Sequence, residues 1–142
     1  MPDSLRLREI ALILFFIAVV FIDRFAKIHA ATYFDLNVIH NPGFMFSTLH
    51  DLRPEIRVVF ISSFYGLALF LFLLAQYMLV KPLAPLRIGL TIFFAGVTGN
   101  AMDRAAFGYV IDIINIPSIS QYSFNPADVF QWLGLLITVP SL

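Results

Sequence analysis

Residues 58–80 read VVFISSFYGLALFLFLLAQYMLV, 23 positions without one charged side chain. A helix of about 20 mainly apolar residues crosses the hydrocarbon of a bilayer and satisfies its own backbone hydrogen bonds where water is absent. The stretch therefore predicts a transmembrane helix. The rest of the chain agrees: of 142 residues 60% are hydrophobic and 13% charged, with a mean hydropathy of +0.88, far from soluble composition. One membrane domain over 1–142 is expected, since neither proline nor glycine usage marks a linker.

Totals exclude several functions. Nine basic and nine acidic residues cancel, and the basic ones are scattered, so no electrostatic footprint for nucleic acid exists. Without cysteine there is no thiol nucleophile, disulfide framework or thiolate metal site.

Three further spans flank the first. Ile10–Ile22 reaches spanning length if Asp23, Arg24 and Lys27 belong to its last turns. Those charges, and the lack of an A-x-A pattern after the apolar run, argue against a cleaved signal peptide. Another span runs from Ile88 to Asp103 and Arg104, and the last from Asn125 to Leu142. An all-α membrane protein with four transmembrane helices is predicted. Four spans put both termini and the loop KPLAPLR (81–87) on one side, expected to be cytoplasmic, with Arg6, Arg8, Lys81 and Arg87 near span ends. The opposite side holds Arg24, Lys27, Arg53, Arg57 and Arg104, so charge alone does not set the orientation. Between the first two spans, residues 31–57 mix aromatic and β-branched residues with the turn signal Asn41-Pro42-Gly43, predicting a small sheet or hairpin on the non-cytoplasmic surface.

All polar clusters fall toward that one face. Ionisable groups in lipid cost a few kcal/mol each and usually face a protein interior or wet cavity. Asn100, Asp103 and Arg104 at i, i+3 and i+4 could merely end a helix with a polar cap and ion pair. Asn125-Pro126-Ala127-Asp128 suits an N-cap, a first-turn proline and a first-turn acid. Asp112 has no such plain reading, because YVIDII (109–114) is apolar and carries no base. Asp103 and Asp112, nine residues apart, fall on opposite faces of a continuous helix. A break at Gly108 would let the following run extend and carry Asp112 across the bundle mouth toward Asp128.

Asp112 and Asp128 are therefore the candidate dyad. Two adjacent carboxyls share one proton and titrate as a unit; the ionised member can deprotonate a water while the other polarises a scissile carbonyl. Asn100, Asn125 and Arg104 would orient carboxyls or substrate. Ser62 and Ser63 have no His or Lys partner at their depth, and His29, His40 and His50 lack ligand spacing on one face, so neither serine catalysis nor a metal site is expected.

At this point the chain resembles the bacterial lipoprotein signal peptidase (signal peptidase II) family, whose motifs read roughly D-Q-x-[ST]-K, N-x-G-x-[AS]-F-S, G-G-x-x-G-N-x-x-D-R followed by V-x-D-[FY], and F-N-x-A-D. Here DRFAK (23–27), NPGFMFS (41–47), AGVTGNAMDR (95–104) with VIDI (110–113), and FNPAD (124–128) occur in the same order. The resemblance implies a four-helix inner-membrane aspartic protease of bacteria, with cytoplasmic termini, that uses no cofactor or metal and cleaves prolipoproteins before a diacylglyceryl-modified cysteine. It implies Asp112 and Asp128 as the catalytic pair, Asn41, Gly43, Asn100, Asp103, Arg104 and Asn125 as supporting or substrate-binding residues, and Asp23 with Lys27 as a structural pair. Phe44, Met45 and Phe46 could close over substrate as an apolar lid. A monomer is expected, with membrane lipid and the lipidated precursor as partners.

Departures accompany the match. Arg24 stands where glutamine is usual, Ala26 replaces a hydroxyl residue, Phe44 and Met45 occupy the small part of the second motif, and Ala95 replaces a glycine. They motivate a competing reading, a non-catalytic relative that captures lipidated peptides or another membrane partner. A small transporter fits less well, because its polar groups would cluster at the bilayer midplane.

Overall fold

The computed structural model describes residues 3–33, 38–42, 53–79, 84–115 and 123–141. Four helices and two small sheets appear in the order α1 (Asp3–Tyr33), β1 (Ile39–Asn41), α2 (Pro54–Met78), α3 (Pro85–Phe107), β2 (Val110–Asp112), β3 (Ile114–Asn115), β4 (Ser123–Phe124) and α4 (Pro126–Thr138), closed by a 3-10 turn over Val139–Ser141. The expected four helices with a small β-containing region are thus present. Glu55–Met78 is long and apolar enough to cross a membrane. Helix α1 outruns the apolar stretch seen in sequence: its 31 residues extend roughly 45 Å at 1.5 Å per residue.

Local chemistry sets the helix ends. Pro54 and Pro85 begin α2 and α3, where a missing N–H costs nothing. Gly108 ends α3 with φ of 78° and donates its N–H to the Arg104 carbonyl at 3.0 Å, the left-handed stop that glycine adopts without a Cβ penalty. The chain then runs extended into β2, as the Gly108 break predicts.

Helix α3 lies at the centre, against α1, α2 and α4, with its largest interface on α4. The polarity of this bundle is inverted relative to a soluble domain. Fully buried side chains include Asp23, Asp103, Asp112 and Asn125, whereas Ile13, Leu14, Ile17 and Phe21 of α1 and Val59, Leu67, Phe70 and Leu71 of α2 point outward. Soluble proteins rarely show so large a continuous apolar exterior, and intramembrane polar groups turn inward.

At one end of the bundle, Arg87 of α3 donates two 2.8 Å hydrogen bonds to the two carboxylate oxygens of Glu9 in α1, and its Nε donates to Gln76 Oε1 of α2 at 2.8 Å. The other end carries the sheets. β1 pairs antiparallel with β2 in the register Ile39↔Asp112, His40↔Ile111, Asn41↔Val110, and β3 pairs antiparallel with β4 through Ile114↔Phe124 and Asn115↔Ser123. The strand foreseen in the loop after α1 therefore finds its partner in the α3–α4 connection, where the apolar run after Gly108 offers it an edge.

Candidate active site

Asp112 ends β2 with its side chain turned inward. Period-two alternation puts Asn41 on the same face of the neighbouring strand, one diagonal step away, and its Nδ2 donates to Asp112 Oδ2 at 3.1 Å. Ser123 Oγ donates to the same oxygen at 2.8 Å, while Asn125 Nδ2 donates to Oδ1 at 2.8 Å. These three donors are all neutral side chains.

Asp128 occupies the third residue of α4, in a complete capping box. Asn125 Oδ1 accepts from the Asp128 N–H at 3.1 Å, and Asp128 Oδ2 accepts from the Asn125 N–H at 3.1 Å. The sequence reading of Asn125 as N-cap and Pro126 as first-turn proline holds. Asn125 therefore does two things at once: its carbonyl oxygen caps the helix that carries Asp128, and its amide grips Asp112. Asp128 Oδ1 accepts from Asn100 Nδ2 at 2.8 Å and from Gln131 Nε2 at 3.4 Å. The two carboxyls are near enough for their charges to oppose each other, and Arg104 is attracted to both while the charge of Arg57 opposes it.

Behind them lies a buried ionic layer. Lys27 Nζ lies 2.9 Å from Asp23 Oδ2 and 2.8 Å from Asp103 Oδ2, and it donates to Asn100 Oδ1 at 3.0 Å. Arg24 pairs with Asp103 Oδ1. Asp23 Oδ1 accepts from the Ala127 N–H at 2.9 Å, and Asp103 Oδ2 from the Ile111 N–H at 3.3 Å. One carboxylate thus holds the start of α4 and the other holds β2. Such buried charges persist only with partners of opposite charge and satisfied hydrogen bonds.

Of the residues singled out in sequence, Asp23, Lys27, Asn41, Asn100, Asp103, Arg104, Asp112, Asn125 and Asp128 come together at this end. Arg104 Nη1 donates to the Asn100 carbonyl at 3.3 Å, while Asp103 is paired with Arg24 and Lys27 of α1. Arg24, a departure from the motif, supplies part of that pairing. Ala95, another departure, is fully buried. Gly43, Phe44, Met45, Phe46 and His50 lie outside the described residues. His29 Nδ1 is 2.8 Å from the Phe25 carbonyl, and the His40 ring stacks on Tyr109 at 4.3 Å. Among the described residues no group of three or more His, Asp or Glu side chains is arranged to hold a metal. Sequence reasoning missed Ser123 and Gln131. An i, i+3 spacing between Asp128 and Gln131 was the one available signal.

The profile described as Signal peptidase (SPase) II matches residues 12–142. The lipoprotein signal peptidase of Syntrophus aciditrophicus is 32% identical over 154 aligned positions, covering 90% of this chain and 91% of that protein. That of Desulforapulum autotrophicum is 30% identical over 109 positions, covering 75% of this chain and 67% of that protein. Alignments with other curated relatives span less, such as 66% and 57% of their lengths. A solved structure described as a bacterial membrane enzyme superposes with a TM-score of 0.78 at 20% identity, over 92% of this chain and 85% of the other, which establishes a shared fold. With the profile match running through every polar segment that builds this cluster, the chain belongs to the signal peptidase II family.

Proposed function

We propose that the protein is an aspartic endopeptidase that removes signal peptides from diacylglyceryl-modified prolipoproteins at the outer face of the bacterial cytoplasmic membrane, with Asp112 and Asp128 activating a water. The observation that carries this reading is the double attachment of Asn125, which joins the two carboxyls through one residue. Proximity of like charges favours one proton shared between them. The ionised carboxyl takes a proton from water as its oxygen attacks the scissile carbonyl carbon, and the protonated carboxyl gives its proton to the carbonyl oxygen. Collapse of the resulting diol breaks the C–N bond, moves a proton to the departing amine and leaves a carboxylic acid. Asn100 holds Asp128, Asn41 and Asn125 hold Asp112, and the Arg104 guanidinium favours negative charge near both.

A lipid-bearing substrate is supported by the surroundings. Arg104 lines a cavity of about 170 Å3 between α2 and α3 together with Ile61, Tyr65, Met102 and Ala105, so an apolar recess adjoins the acidic cluster. The outward apolar faces of α1 and α2 suit direct lipid contact. Cytoplasmic termini follow if all four helices span and this end faces outward. A monomer acting without a cofactor completes the proposal.

The test is cleavage of a purified diacylglyceryl prolipoprotein in detergent by the wild type, D112N and D128N. Both variants should insert and fold but lose cleavage by at least about a thousandfold, a typical scale for loss of acid-base catalysis. Wild-type turnover by either variant would overturn the proposal and leave the alternative of a binding protein for lipidated peptides.

A further inference from the structure

Three neutral donors meet on Asp112, and they differ in chemistry. The Nδ2 groups of Asn41 and Asn125 can only donate, whereas the Ser123 hydroxyl can donate or accept. In the reaction proposed above, a dyad carboxyl passes between carboxylate and acid in every turnover. An amide N–H that faces a carboxylate oxygen keeps only a weaker acceptor when that oxygen takes a proton, and it cannot receive the new O–H. A hydroxyl rotates about its Cβ–Oγ bond and keeps the contact in both states. Ser123 is held for this by backbone pairing: Asn115↔Ser123 and Ile114↔Phe124 form the second sheet, and the Ile113 N–H donates to the Phe124 carbonyl at 2.9 Å. The residue beside Asp112 is thereby tied to the residue beside Ser123.

We infer that Ser123 is a positioning residue for the dyad, a two-way hydrogen-bond partner that keeps Asp112 oriented as its proton comes and goes. The inference rests on the aspartic reading and extends it to a residue outside the family motifs. Among the described residues, Asp128 of α4 and Arg104 of α3 are ionisable groups that interact with Asp112, and the nearby charge of Asp103 is paired with Arg24 and Lys27. None of these changes when Ser123 is replaced, so a change in pH dependence reads the hydroxyl itself.

The experiment compares wild type, S123A and S123T in the cleavage assay across pH, with D112N as reference and thermal unfolding in detergent alongside. The hydroxyl's hydrogen bond to the carboxylate is charge-assisted and stronger than the one it makes with the neutral acid, so on balance it favours the charged form. S123A should therefore lower kcat roughly tenfold with little change in KM and move the acidic limb of the profile upward by about one pH unit. S123T, which retains the hydroxyl, should restore both. A limb that stays in place overturns the inference, whether S123A remains fully active or is weakened by loss of stability, and so does failure of S123T to restore it. Cleavage by D112N would instead remove the underlying aspartic reading, an outcome separate from these.

Discussion

Lys27 of α1 donates to Asn100 of α3 at 3.0 Å, and Asn100 donates in turn to Asp128 at 2.8 Å. The buried Lys27 ammonium thereby fixes which way the Asn100 amide faces, because its oxygen is committed to the ammonium and its nitrogen to the carboxyl. The ionic layer and the acidic pair form one network.

Replacing Lys27 with Met should accordingly cause two separable losses. Asp23 and Asp103 would keep their charges with less compensation, a change that costs about 3–5 kcal/mol for buried pairs. Asn100 would also lose its orienting partner, and cleavage should fall at least about tenfold. The D23N/K27M double variant removes one stranded charge, so it should recover part of the unfolding free energy while cleavage stays low. Unfolding in detergent followed by circular dichroism, with the cleavage assay in parallel, checks both; wild-type stability in K27M would show that the buried pair matters little.

Asn125 links helix geometry to chemistry, and its substitutions should separate the two. N125A removes the cap and the contact to Asp112, which should lower stability by about 1 kcal/mol and cleavage much more. N125S retains a capping oxygen but lacks the amide that reaches Asp112. Near wild-type stability with cleavage still reduced by about tenfold or more is expected for N125S, measured by the same two assays.

Parts of this arrangement were legible in sequence because their causes are local. Asn125, Pro126 and Asp128 signal a helix start through capping chemistry within four residues, Gly108 signals a helix stop, and Val58–Val80 signals a span because lipid penalises charge at every position. Other parts depend on distant elements. Asn41 meets Asp112 across 71 residues, through strands too short to announce a register. Asp103 lies beside Arg104 in sequence, yet takes its partners from α1, since adjacent residues on a helix diverge in direction while packed helices converge. Ser123 carries no pattern at all; only pairing of β3 with β4 reveals its contact.

The opposite end of the bundle offers a pH test independent of catalysis. The Arg87 guanidinium holds the Glu9 carboxyl below the usual glutamate range through its hydrogen bonds, partly opposed by burial and assisted by charge attraction. A depressed folded value means the stabilisation is fully present above the unfolded glutamate pKa and is lost as pH falls through the folded value. E9Q should therefore narrow the stability difference between neutral and acidic pH. Glu9 is about one-third exposed, so solvent screening limits the effect to about 1 kcal/mol or less. Unfolding midpoints of wild type and E9Q from pH 3 to 7 should converge at the acidic end, and cleavage at neutral pH should remain unchanged. Curves that stay parallel would exclude this linkage.

Close packing of α3 against the ionic layer yields the last prediction. A Cβ built on Gly99 would meet Asp23 Oδ2 at 2.5 Å, and that oxygen has little freedom, since the Asp23 carboxyl is held by Lys27 and by the Ala127 N–H, each at 2.9 Å. G99A must push Asp23 away from one partner or separate α1 from α3, so a destabilisation of about 1–3 kcal/mol is expected, with reduced cleavage because Lys27 and the start of α4 shift together. Gly66 on α2 supplies the control: a Cβ there meets nothing within 4 Å, so G66A should be neutral or raise stability by up to about 1 kcal/mol through helix propensity and lower chain entropy when unfolded. Unfolding free energies in the same detergent decide the matter. Equal behaviour of the two alanine variants would mean that close approach at Gly99 does not constrain the network.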